Sequence, residues 1–118
     1  MSNIAAAIGV GQLKVLDQRV AARRANHDFY QKLLANVEGI QFLDEPEGYF
    51  SNRWLSCIII DSAVTGVSRE DLRLALEKVN IESRPLWKPM HMQPLFVHND
   101  YYGTAFIEKL FLDGICLP

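Results

Sequence analysis

The chain is 118 residues long, enough for one domain with a real core and with little room for a second, and 49% of it is apolar. Its formal net charge of −2, with 12 basic residues scattered apart from the pair Arg23-Arg24, excludes the basic footprint of a nucleic-acid surface. No apolar run reaches membrane-spanning length, so no membrane partner is expected.

The first residues lack a basic stretch leading into an apolar segment and a cleavage site, and a cytoplasmic location is the expectation that follows. Ser2 is placed to cap a helix, and Gly39 sits where helices commonly stop. Between them Leu13, Leu16, Val20, Arg23, His27, Tyr30, Leu34 and Val37 recur at spacings of three and four, one face of a long helix over residues 1–38. Arg23 and His27 interrupt that stripe, either snorkelling at its edge or bonding across an interface. About 35 residues at about 1.5 Å rise make a rod of about 50 Å. A compact chain of this length is only roughly 35 Å across. Part of the helix is therefore expected to project beyond its domain, unless it breaks at Gly9 or Gly11. The projecting part, residues 4–10, is apolar on nearly every face, and such a surface belongs in a protein interior. Another domain or a second copy is expected to cover it. A homo-oligomer would do so through Ile4, Ile8, Val10 and Leu13.

After Gly39 the pattern becomes that of a small α+β domain over residues 39–118. Residues 40–43 and 54–60 read as strands, the second nearly continuous in apolar residues and so central in a sheet. Residues 44–52 are a polar connection containing proline and glycine. Ser68, with Asp71 three residues on, forms the pattern of a capping box and opens a second helix. Its inward stripe is Leu72, Ala75, Leu76 and Val79. Residues 81–84 read as a short strand, and Pro85, Pro89 and Pro94 forbid regular structure beyond it. Residues 97–103 are a polar loop, and Thr104 is placed to cap a last helix ending near Gly114. The final Ile115-Cys116-Leu117-Pro118 is apolar without a polar tail and reads as an interrupted element. The order of elements predicts a mainly antiparallel sheet with helices packed on one side.

Cys57 and Cys116 each lie in an apolar run and are expected to be buried, reduced thiols rather than a disulfide, a metal pair or a nucleophile. The most unusual stretch is Ser83-Arg84-Pro85-Leu86-Trp87-Lys88-Pro89-Met90-His91-Met92-Gln93-Pro94. Three prolines stiffen a loop that presents two cations, an indole and an imidazole at a strand end. Arg84 or Lys88 suits a phosphate or carboxylate, Trp87 can stack on a ring, and His91 can bond a hydroxyl. The alternative, with Trp87 and Met90 packed on the core and the cations solvated, stays open. Gly9-Val10-Gly11 lacks the third glycine and the preceding strand of a dinucleotide site. His91, His98 and Asp100 match no common metal-ligand spacing, and no metal is expected.

Two stretches resemble a known family. Met1-Ser2-Asn3-Ile4-Ala5-Ala6-Ala7-Ile8-Gly9-Val10-Gly11-Gln12-Leu13, with Leu16-Asp17 and Arg23-Arg24 following, is similar to the helix joining the large and small domains of the DegT/DnrJ/EryC1/StrS sugar aminotransferases. Arg84-Pro85-Leu86-Trp87-Lys88-Pro89-Met90-His91 resembles that family's small-domain loop, in the branch that makes amino sugars for surface glycans. Gly114-Ile115-Cys116-Leu117-Pro118 is similar to a segment that the family continues into Ser-Gly and a final helix.

The resemblance implies the small domain of a fold-type I aminotransferase, truncated at both ends relative to the family. It also implies pyridoxal phosphate in the parent enzyme, held on a lysine, with glutamate as the usual amino donor and a nucleotide-linked keto-sugar as acceptor. That lysine lies upstream, and none of Lys14, Lys32, Lys78, Lys88 or Lys109 stands in its context. The family's Asn-x-Arg, which helps bind the cofactor phosphate of a neighbouring subunit, would fall just before Met1. No catalytic or cofactor-binding residue is therefore expected in this chain, no cofactor is expected bound to it, and it is expected to be inactive alone. What carries over is the substrate rim, with Arg84, Trp87, Lys88 and His91 as candidate sugar-nucleotide contacts. The competing expectation is a non-catalytic module that self-associates, as a dimer or higher assembly, through the first helix.

Overall fold

The computed structural model describes residues 2–118; Met1, which opens the first family-like stretch, lies outside the described residues. The elements in chain order are α1 (Asn3–Leu13), α2 (Leu16–Leu34), β1 (Ile40–Phe42), β2 (Ser56–Ile60), α3 (Ser62–Thr65), α4 (Arg69–Lys78), β3 (Arg84–Pro85), α5 (Phe106–Asp113) and β4 (Gly114–Leu117). A single 3-10 turn, Met90–Met92, sits within the proline-rich loop.

Ser2 caps α1, its hydroxyl accepting the Ala5 N–H at 3.3 Å. The expected single rod is interrupted, but not at a glycine. Gly9 and Gly11 stay helical, and the break falls at Lys14 and Val15. There Val15 donates back three residues to the Gln12 carbonyl at 3.2 Å, a tightened turn, before α2 resumes. Nothing else among the described residues covers α1: Ile4 is 75% exposed, Ile8 61% and Leu13 69%. The Cα radius of gyration is 17.6 Å, well above the ~13.5 Å of a compact chain of this length. Among the described residues no helix is long and apolar enough to cross a membrane.

The four strands form one antiparallel sheet in the order β1-β2-β4-β3. The expectation that the 54–60 run is central holds, because β2 lies between β1 and β4. Its other neighbour comes from the C-terminal apolar segment, which forms β4. Pro85 is tolerated because β3 is an edge. Side chains alternate across the sheet. Ile58, Ile60 and Ile115 form the core on one face, where Leu34 of α2 and Leu72 of α4 pack against them. Arg69 ties α5 to α4, donating to the Leu112 carbonyl at 2.7 Å and lying over the Phe111 ring.

The fold is α+β, as expected, with local corrections. The capping box at Ser68 and Asp71 is made in full, and Leu72 and Leu76 turn inward, but Ala75 and Val79 stay exposed. The strand expected at 81–84 is only the pair Arg84–Pro85. Thr104 does not cap α5. That position is taken by Ala105 without a side-chain bond, and the Thr104 carbonyl instead accepts the Tyr101 hydroxyl at 3.1 Å. The short helix α3, held by the Asp61 side chain on the Ala63 N–H, has no counterpart in the sequence reading.

Candidate functional site

Arg84 pairs with Cys116 across the β3–β4 edge, and directly opposed residues project from the same sheet face. That face is the one away from the isoleucine core. Arg84 is solvated, its guanidinium paired with Glu82 at 2.6 Å. Three residues on, Trp87 is 68% exposed and tilts against Trp54, with ring centroids 6.3 Å apart. Arg84 and Trp87 line one cleft of about 680 Å³ together with Arg23, Trp54, Glu82, Ser83 and Cys116. Two arginines and two tryptophans thus line one open hollow, which suits a ligand with an anionic part and a flat ring.

The other two candidates are placed elsewhere. Lys88 is exposed and does not line this cleft. His91 lines a second hollow of about 440 Å³ with Met90, Phe96, Asp100, Tyr101 and Ile107. Its Nε2 lies 3.0 Å from Glu108 Oε1, and its ring stacks on Tyr101 with centroids 3.7 Å apart. Those contacts fix the imidazole and brace the loop against α5. The four expected residues therefore divide: Arg84 and Trp87 are brought together, and Lys88 and His91 are not brought to them.

Arg23 and Trp54 join the cleft without having been singled out for it. The signal for Arg23 is its interruption of an apolar stripe; for Trp54, a large indole at the mouth of a strand. Trp54 is positioned by a clamp on the 44–54 connection. Arg24 of α2 makes a two-pronged pair with Glu45, at 3.1 and 2.8 Å, and also donates to the Ser51 carbonyl. The Ser51 N–H donates to the same carboxylate, and Arg53 reaches the Leu43 carbonyl at 3.0 Å. The hydrogen bonds from Arg24 and from the Ser51 N–H hold the Glu45 carboxyl down at about 2.

These residues do not fit a cofactor held on a lysine. All five lysines are exposed, and none lines the Arg84–Trp87 cleft or the His91 hollow. A Schiff-base lysine needs a walled pocket that lowers its pKa. No group of three or more His, Cys, Asp or Glu residues placed to hold a metal occurs among the described residues.

Comparison with known proteins identifies the class to which this α+β fold belongs. The chain matches the DegT/DnrJ/EryC1/StrS aminotransferase family over residues 1–118, and it belongs to that family. It is 43% identical to EpsN of Bacillus subtilis (strain 168), which bears the name of a pyridoxal phosphate-dependent aminotransferase, over 100% of this chain and 31% of that protein. It is 39% identical to the GDP-perosamine synthase of Vibrio cholerae, over 83% of this chain and 26% of that protein. Among solved structures it resembles DesI, determined in the presence of its TDP-sugar product. The TM-score is 0.91 and the identity 25%, over 100% of this chain and 30% of that one. The chain thus spans about a third or less of the length of the relatives it matches.

Proposed function

We propose that the chain is the C-terminal small domain of a pyridoxal phosphate-dependent aminotransferase that converts a nucleotide-linked keto-sugar to an amino sugar for surface glycan or polysaccharide synthesis. Residues 1–38 serve as its inter-domain helix and residues 39–118 as the domain proper. The observation that carries this reading is the whole-chain likeness to sugar aminotransferases, DesI with its TDP-sugar product among them. Within it, the Arg84–Trp87 cleft forms part of the substrate rim. Arg84 meets the diphosphate, Trp87 stacks on a ring, and Lys88 and His91 stand further along the same loop. The lysine and the phosphate site of the cofactor belong to other parts of the enzyme.

In the full-length enzyme carrying this domain, Arg84→Ala and Trp87→Ala are each expected to raise KM for the nucleotide sugar about tenfold, with kcat changed less than about threefold. Unchanged KM in both variants removes the rim from the binding site. The isolated chain is expected to show no aminotransferase activity and no Schiff-base absorbance on addition of pyridoxal phosphate. A band abolished by replacing one particular lysine overturns that assignment.

A second reading, a non-catalytic module that self-associates, is favoured by one observation: Ile4, Ile8, Val10 and Leu13 all lie exposed on α1. The two readings are compatible, because a domain of this kind standing alone has that surface to hide.

A further inference from the structure

Cys57 and Cys116 lie 59 positions apart in the sequence and directly opposite each other on the two central strands. Their sulfurs are 3.5 Å apart on the sheet face away from the isoleucine core, and both are free thiols. The backbone already meets the requirement for a bond. Opposed residues of an antiparallel pair have Cα atoms about 4.5 or 5.5 Å apart, depending on the pair type. Both values fall within the ~4.4–6.8 Å that a disulfide spans. Closing the gap between the sulfurs needs a side-chain rotation, not a strand movement.

Access is also present. Cys116 is 6% exposed, but it lies along the Arg84–Trp87 cleft, and Cys57 is half-buried. The geometry points to a redox-active dithiol at the base of this cleft, one that a low-molecular-weight disulfide such as oxidised glutathione converts to a cross-strand disulfide.

The step balances in two exchanges. Cys57, the more exposed, loses its proton, attacks one sulfur of the oxidant and releases the first thiol, leaving a mixed disulfide. Cys116 then loses its proton and attacks the Cys57 sulfur, releasing the second thiol. Two S–H bonds break, one S–S bond forms in the protein, and the oxidant takes up two electrons and two protons. Burial and the hydrogen bond between the sulfurs push the Cys57 thiol up to about 12. The thiolate that starts the exchange is therefore scarce at neutral pH, so formation is slow and quickens with alkalinity.

The test is oxidation of the 118-residue chain with excess oxidised glutathione, followed by alkylation, peptide mapping and thermal melting. A linked 57–116 peptide pair is expected in the monomer, with a mass lower by about 2 Da. Tm is expected to rise by at least about 5 °C, because the bond closes a long loop in the unfolded chain. Dithiothreitol reverses both changes. Cys57→Ser, at the half-buried position, is expected to keep its circular dichroism and show no such rise. Two thiols that remain alkylatable after prolonged oxidation at alkaline pH overturn the proposal. So does uptake of the oxidant only as glutathione adducts or as cross-linked dimers.

Discussion

His27 shows how one residue links burial to pH. It is 3% exposed, meets Phe42 edge-on at 5.4 Å, and neither ring nitrogen has a hydrogen-bond partner. Burial first, and the nearby Arg53 charge second, lower its pKa from the usual 6.5, so it is neutral in the fold. The unfolded chain takes up a proton as pH drops through about 6.5, while the folded chain resists it. Stability should therefore fall as pH drops below about 6.5 and be indifferent to this group above it. Glu45 acts in a separate window. Its folded pKa of about 2 lies below the ordinary 4.5, so its contribution is complete above 4.5 and is lost between 4.5 and 2. Chemical denaturation midpoints at pH 7.5 and 5.5 separate the two. His27→Leu is expected to flatten the dependence between those values and to cost less than about 1 kcal/mol at pH 7.5, since the imidazole makes no hydrogen bond there. A slope unchanged by the substitution assigns the effect elsewhere.

At the scale of elements, β4 matters most. It follows α5 with no intervening loop, and Gly114 makes the junction. Gly114 has an ordinary extended backbone, so its need is for space and not for an unusual angle. A methyl group there would fall on the Leu86 side chain and on the Leu110 carbonyl, which is backbone and cannot rotate away. Gly114→Ala is expected to destabilise the chain by about 1–3 kcal/mol, as overpacking does, measured by urea denaturation. A loss under about 0.5 kcal/mol would show that the junction can relax. Because β4 also carries Ile115 and Cys116, the same strain reaches both the core and the cleft face.

For the whole molecule, the dominant feature is an apolar helix standing clear of the core. α1 has no buried residue, and its isoleucines, valine and leucine are exposed. Water disfavours so large an apolar surface. The isolated chain is expected to self-associate in sedimentation at high concentration. The double variant Ile4→Glu and Ile8→Glu is expected to sediment as a monomer with its helix content retained, since both positions are solvent-exposed in the monomer. A chain that stays monomeric at high concentration rules out α1 as a self-association surface.

Much of this was legible in the residues themselves. Periodicity located α2 and α4, the Ser68–Asp71 spacing located a cap, the apolar run 54–60 was read as a central strand that forms over 56–60, and the family-like stretches pointed to the family that the whole-chain match then identified. These are local signals, written in neighbours three, four or two positions apart. Other features depend on residues distant in sequence. Nothing near Cys116 marks it as the partner of Cys57, nothing near Arg23 or Trp54 places them beside Trp87, and nothing in His91 marks it as the partner of Glu108. Nothing within the terminal apolar segment names its partners, because a central strand bonds to other strands, here β2 and β3. Composition and spacing determined the α+β fold class and the apolar first helix, while the family was read from the resemblance of particular stretches. Strand order and register decided which side chains share the cleft, and that is set by pairing across the sheet rather than along the chain.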